Sequence, residues 1–323
     1  MKDYISVRDE KMRLHLGKII LDLPPFACRY FGGANLAWWT KRNYALELRN
    51  FFAWLLSQKE FAGIKIKEFS MANFNSVTGA QIELYMSNAR LNDNSICTYI
   101  NRIVPIRAFF KYFHVRGDLV KNVSLHVDIP KRPNKPIIAL NCDEVQKLFA
   151  VQPEICKKFV RRNRVILLFL VSTGLRVSEL VGLNTADVDL EHGQFVVVRK
   201  GGDKEVLAMN NMLCAAMVNY LSERNLLVNQ PVFIGNKKCR ITCHCVEQIV
   251  KQYVNAAKLV KRITPHKLRS TFGTNLYEKT GDIFLVSHCL GHRSIETTKK
   301  HYVNLNEKIV CKSMSEFNLV SCF

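Results

Sequence analysis

One stretch constrains this chain more than any other. It runs from Thr264 to Tyr302 and reads TPHKLRSTFGTNLYEKTGDIFLVSHCLGHRSIETTKKHY. Thr264 suits a helix cap, and Pro265 suits the first helical position, where an N–H has no partner in any case. His266 and Arg269 are then three apart, on one face of the first turn. A second apolar run, Ile283 to Leu290, stops at Gly291, a natural helix C-terminus, and His292 follows directly. Ser294 caps a last short helix whose far end carries Tyr302. Two histidines, an arginine and a tyrosine therefore gather at helix ends and turns. No hydrophobic core needs them there, and an anion suits them.

The succession HKLR, LGH and a tyrosine ten residues beyond that histidine resembles the active-site signature of the tyrosine recombinase (phage integrase) family. The resemblance implies another arginine upstream in a TGLRxSE-like segment. Thr173-Gly174-Leu175-Arg176-Val177-Ser178-Glu179-Leu180 supplies it. A lysine on an intervening hairpin is implied too, and Val196-Val197-Val198-Arg199-Lys200-Gly201-Gly202 supplies one. Each piece alone is a weak signal; all of them in order are specific. The likeness covers the C-terminal half residue by residue and the N-terminal part by helix pattern. Within the family, Thr-Pro-His-Lys-Leu-Arg and Leu-Val-Ser-His-Cys-Leu-Gly-His look most like Xer-type recombinases, especially the single-recombinase kind of Gram-positive bacteria.

Charge agrees with a polyanionic partner. The 323 residues carry a formal net charge of +20. Residues 1–132 hold 20 Lys and Arg against 11 Asp and Glu, and the remainder holds 27 against 16. Both halves are basic, which suits a grip on a polyanion from two sides rather than a basic tail. Apolar content of 48% is ample for packed cores. With no signal peptide in view and no apolar run of membrane-spanning length, a cytoplasmic protein without a membrane anchor is expected. The 11 cysteines are scattered and odd in number, so reduced thiols are the natural reading. Cys239, Cys243, His244 and Cys245 match no common zinc spacing and lead into a helical pattern, so no metal site is assigned.

Taken in order, residues 1–22 read as a leading helix, broken by Pro24-Pro25 and Gly32-Gly33. A long helix starts at Thr40, with Tyr44, Leu48, Phe51, Phe52 and Leu55 on one stripe. Trp38 and Trp39 read as core or interface residues. A third helix is expected over 76–89. A fourth, from Asn94 or Ser95, has Ile96, Ile100, Ile103, Phe110 and Phe113 on one stripe and a kink or break at Pro105. Ile129 to Pro136 is a proline-stiffened, cationic linker. Asn141 and Glu144 form a capping box, and Val165–Val171 is a buried helix. Gln194–Lys200 and Glu205–Met209 read as strands joined by Gly201-Gly202-Asp203. Lys204 is a rival to Lys200. It ranks second because Asp203 and Glu205 would hold its ammonium on the solvent side.

The resemblance implies a mainly α chain with a small β-hairpin, folded as a two-domain, C-shaped DNA clamp. A helical core-binding domain (1–128), a linker (129–136), an α+β catalytic domain (137–305) and an apolar tail (306–323) follow. The tail packs on a neighbouring protomer or in cis; sequence leaves this open. Arg42, Arg102, Lys111, Lys131 and Arg132 are the DNA-binding candidates. The implied chemistry is attack of Tyr302 on a DNA phosphate, giving a 3′-phosphotyrosyl link. Arg176 and Arg269 clamp the non-bridging oxygens, His292 hydrogen-bonds the same phosphate, His266 helps take the tyrosine proton, and Lys200 protonates the leaving 5′-oxygen. Glu179 orients Arg176, since a carboxylate beside a phosphodiester would repel it. No cofactor or metal is needed.

The partners implied are a double-stranded recombination site and copies of the same chain, a dimer on a site and a tetramer in synapsis. An Xer-like role in resolving chromosome dimers leads. An integrase of a phage or conjugative element comes next, then a type IB topoisomerase, and last a DNA-binding protein that has lost catalysis.

Overall fold

The computed structural model describes residues 4–92, 95–133, 136–153, 159–199, 202–222, 229–236, 239–291, 294–296 and 298–299. Lys200, His292, Tyr302 and the tail from 306 onward lie outside them. Among the described residues the chain is mainly helical with one small sheet, and it divides into two compact units, Met1–Lys135 and Pro136–Phe323.

The first unit is built from α1 (Tyr4–Ile20), α2 (Ala27–Gly33), α3 (Trp38–Leu56), α4 (Met71–Asn75), α5 (Gly79–Asn92) and α6 (Ile96–Val115). The stripe on α3 is real: Leu48, Phe51, Phe52 and Leu55 are fully buried. α1 joins the same core through Leu16 and Ile19, while Leu14 stays exposed. Phenylalanines fill the centre. Phe74 lies 4.5 Å from Phe110 between ring centroids, and Phe109 and Phe113 stand edge-on at 5.0 Å, the tilted geometry that aromatic quadrupoles favour.

The leading helix ends before Pro24-Pro25, and Ala27–Gly33 then form α2, which the prolines precede and the glycines end. Two local expectations need correction. α5 starts three residues later than the sequence pattern placed it. α6 is continuous through Pro105, which is itself buried, so of the kink or break expected there the break does not occur. A mid-helix proline costs about 3 kcal/mol; burial of Ile103, Ile106, Phe109, Phe110 and Phe113 on the same helix offsets that cost.

The second unit opens with α7 (Cys142–Ala150) behind the expected box. The Asn141 side chain accepts from the Glu144 N–H at 2.8 Å, and Glu144 Oε2 accepts from the Asn141 N–H at 2.9 Å. Lys261 Nζ reaches the same carboxylate at 2.6 Å, tying this entrance to the segment just before Pro265. α8 (Val160–Thr173) buries Ile166, Leu167, Phe169 and Leu170 and stops at Gly174, whose φ is 61°. α9 (Val177–Gly182) follows. The sheet is antiparallel, in the order β1 (Val188–Asp189), β2 (Gln194–Val198), β3 (Lys204–Ala208). Val198 pairs with Lys204 and Val197 with Glu205. α10 (Asn211–Leu221), α11 (Cys243–Ala256), α12 (Pro265–Thr280) and α13 (Ile283–Cys289) follow.

Candidate active site

α12 begins as the sequence requires, with Pro265 in its first turn and the Thr264 hydroxyl accepting from the Lys267 N–H at 3.4 Å. Arg269, one turn in, is 4% exposed. Its Nη1 donates to the Gly174 carbonyl at 2.6 Å, and its Nη2 donates to the Leu290 carbonyl. One side chain thus joins the end of α8 to the end of α13. His266 lies on the solvent side of the first turn.

Arg176 sits at the mouth of α9. Its Nη1 meets Glu179 Oε1 at 2.6 Å, its backbone N–H donates to Glu179 Oε2 at 2.9 Å, and its Nη2 donates to the Gly291 carbonyl at 3.0 Å. The Glu179 side chain is 4% exposed and that of Arg176 is 32% exposed. The carboxylate is therefore buried while the guanidinium keeps an open edge. Glu179 faces its arginine and not the solvent, which is the geometry of a group that orients a cation.

A third guanidinium completes the cluster, and the sequence reading passed over it as a strand residue. Arg199, just beyond β2, places Nε 2.5 Å from Glu205 Oε2 and Nη1 3.1 Å from Glu179 Oε2. Its Nη2 donates to the Cys289 carbonyl at 3.0 Å. The signal that would have found it is the alternation of β2. Phe195 and Val197 are both buried, which puts residue 199 on the inward face as well.

Three successive carbonyls at the end of α13, those of Cys289, Leu290 and Gly291, thus each accept from a different arginine. A helix C-terminus carries partial negative charge and unsatisfied carbonyls, so cations belong there. The two glycines are fixed by the same packing. A Cβ on Gly291, whose φ is 56°, would lie 2.7 Å from Arg199 Nε; one on Gly174 would lie 2.4 Å from Phe272 Cδ1. Burial, with the Glu205 carboxylate beside it, pushes the Cys289 thiol above its ordinary pKa.

The hairpin differs from expectation. β2 ends at Val198, and the turn is closed at Arg199, whose N–H donates to the Asp203 carbonyl at 2.8 Å. Lys204 opens β3 and is exposed, and Glu205 does not hold its ammonium as expected. Glu205 turns to the opposite face, toward Arg199, because neighbouring strand residues point to opposite sides.

In the first unit, Lys111, Lys131 and Arg132 are exposed. Arg42 donates to His15 Nδ1 at 3.1 Å and lies over the Trp39 ring at 5.5 Å. Trp39 is exposed, while Trp38 packs on the core. Arg102 is near enough to Glu47 to oppose the rise that burial imposes on that carboxyl. Among the described residues, no helix is long and apolar enough to cross a membrane.

A mainly helical chain with a small sheet and clustered arginines between TGLR, HKLR and LGH defines a class. The model of the phage integrase family matches residues 139–308, a span that holds all six candidate catalytic positions, and the chain belongs to that family of tyrosine recombinases. Among its relatives is tyrosine recombinase XerD of Lacticaseibacillus casei, 30% identical over 283 residues, covering 85% of this chain and 91% of the relative. Tyrosine recombinase XerC of Pelobacter propionicus is 32% identical over 201 residues, 62% of this chain and 66% of the relative. Among solved structures, the XerH site-specific recombinase in its post-cleavage complex with a palindromic difH substrate aligns with a TM-score of 0.68 at 21% identity. It covers 88% of this chain and 82% of its own. The Tn1549 transposon integrase in complex with transposon right-end DNA has a TM-score of 0.65 at 17% identity, covering 90% and 94%. At such identities these two likenesses establish the fold alone.

Proposed function

We propose that this chain recombines double-stranded DNA at a specific site through a covalent 3′-phosphotyrosyl intermediate on Tyr302. The observation that supports it most is the convergence of Arg176 and Arg269 on the carbonyls of Leu290 and Gly291, immediately before His292. Planar, permanently charged guanidiniums that hold carbonyl oxygens in this way suit the non-bridging oxygens of a phosphodiester equally well.

In the proposed reaction Tyr302 Oη attacks phosphorus and its proton passes toward His266. Charge grows on the two non-bridging oxygens as the pentacoordinate state forms. Arg176 and Arg269 stabilise that charge, and His292 adds a hydrogen bond. The bond from phosphorus to the 5′-oxygen breaks, and Lys200 protonates that oxygen to give a free 5′-hydroxyl. The phosphotyrosyl ester keeps the energy of the phosphodiester, so the reverse attack by a 5′-hydroxyl reseals DNA without a nucleotide cofactor. Glu179, buried against Arg176, supports the reaction by fixing that guanidinium.

The DNA partner follows from the basic charge of both halves, with Arg42, Lys111, Lys131 and Arg132 as contacts. The charge of Arg102 is partly engaged by Glu47. A dimer on the site and a tetramer in synapsis are the assemblies this reading entails. Resolution of chromosome dimers, the role that the Xer-type resemblance of the HKLR and LGH segments implies, is the favoured role. Integration or excision of a phage or conjugative element is the second.

Tyr302→Phe tests the reading directly. The variant is expected to bind its DNA site as the parent does, yet to form no covalent adduct on a nicked suicide substrate in a denaturing gel. An adduct in the variant refutes the assignment of Tyr302.

A further inference from the structure

We propose that Arg199 is a positioning residue for proton transfer: it locks the turn of the β2–β3 hairpin onto the arginine cluster and so places the general acid. The inference rests on the reading of Lys200, the next residue in the chain, as that acid.

Arg199 acts at two levels. Its backbone closes the turn, donating to the Asp203 carbonyl at 2.8 Å and accepting from the Gly202 N–H at 3.0 Å. Its side chain, 7% exposed, leaves the hairpin and joins Glu205, Glu179 and the Cys289 carbonyl. It occupies the third inward place of the row Phe195, Val197, Arg199, where an apolar residue would be the cheaper occupant. A buried guanidinium persists only when its donors are matched, and here each of its three nitrogens has a partner.

The division of labour among the three arginines makes the inference specific. Arg176 holds Glu179 with two bonds of its own and also holds the Gly291 carbonyl. Arg269 holds the carbonyls of Gly174 and Leu290. Arg176 is rooted at the start of α9 and Arg269 in α12. Arg199 is the one of the three rooted in the hairpin, and it connects the hairpin to the other two. Loss of its fork leaves the phosphate-facing arginines anchored and frees the turn. The defect should therefore fall on protonation of the leaving 5′-oxygen, and charge stabilisation at phosphorus should survive.

Chemistry separates these two effects. A 5′-alkoxide leaves poorly without a proton, whereas a 5′-thiolate leaves readily as the anion. The test uses the full chain and a nicked duplex carrying the sequence to which the parent forms its adduct on the source chromosome. The duplex is prepared with oxygen or with sulfur at the 5′-bridging position. Arg199→Lys keeps the charge but loses the planar fork. It is expected to cleave the oxygen substrate at least about tenfold more slowly, a fraction of the usual 10²–10⁴ for acid catalysis. It should cleave the sulfur substrate near the parental rate, with DNA binding unchanged. Glu205→Gln, a milder cut in the same pair, should show the same pattern with a smaller loss.

Equal slowing on both substrates, or no slowing on either, overturns the inference. Lys200→Ala on the same duplexes judges the underlying reading separately. If Lys200→Ala is rescued by sulfur and Arg199→Lys is not, Lys200 stands and Arg199 falls. If Arg199→Lys is rescued and Lys200→Ala is not, the acid is another hairpin residue and the positioning role of Arg199 stands.

Discussion

Replacing Glu179 by glutamine tests whether one buried carboxylate holds the centre together. The carboxylate accepts from Arg176 Nη1 at 2.6 Å, from the Arg176 backbone N–H at 2.9 Å and from Arg199 Nη1 at 3.1 Å. Glutamine keeps the shape but has one acceptor oxygen, and its NH₂ must face a donor whichever way it turns. With the nitrogen in the Oε1 place, the pair with Arg176 is lost; in the Oε2 place, the backbone bond and the Arg199 contact are lost. Breaking a buried pair costs about 3–5 kcal/mol. The open edge of Arg176 lets water take up part of that, so about 2–4 kcal/mol is expected. At ~2–4 °C per kcal/mol for a unit of this size, the melting temperature should fall by about 5–15 °C.

Arg176 also loses the partner that aims it. Single-turnover cleavage of a suicide substrate should drop by about 100-fold, the loss typical of one charge-stabilising donor, with DNA affinity little changed. The pH dependence of the residual rate should keep both limbs, because an orienting carboxylate is not the proton carrier. A Glu179→Gln variant that melts within a degree of the parent and cleaves at the parental rate refutes the reasoning. One that loses a limb of the pH profile makes Glu179 an acid–base group instead.

Two further outcomes follow from packing and charge. Gly174→Ala puts a side chain where φ is 61° and where Cβ meets Phe272 at 2.4 Å. The left-handed backbone costs ~1–2 kcal/mol and overpacking ~1–3 kcal/mol. Urea unfolding should therefore show a loss of about 2–5 kcal/mol, and a loss below about 1 kcal/mol refutes the packing account. Binding to duplex DNA should weaken steeply with salt, because each phosphate neutralised lowers the log–log slope by about 0.9. A nearly flat titration contradicts a grip by both basic halves.

The sequence by itself determined the elements and the residue types at the centre. Periodicity placed α3 and α6, because a stripe at three and four can bury only one way. The Asn141–Glu144 box and the glycines at 174 and 291 marked where helices begin and end, since these are local rules of capping and left-handed backbone. HKLR, TGLR and LGH pointed to the family before any contact was known. The tertiary structure alone decided what meets what. That Arg176, Arg199 and Arg269 divide three consecutive carbonyls among them depends on α8, α12, α13 and the hairpin tip arriving together, and no local rule encodes that meeting. Pro105 lies inside a continuous helix because long-range burial outweighs a local penalty. From the chain, alternation could mark Arg199 as an inward-facing strand residue and no more. Its importance comes from partners at positions 179, 205 and 289, which only the fold brings within bonding distance.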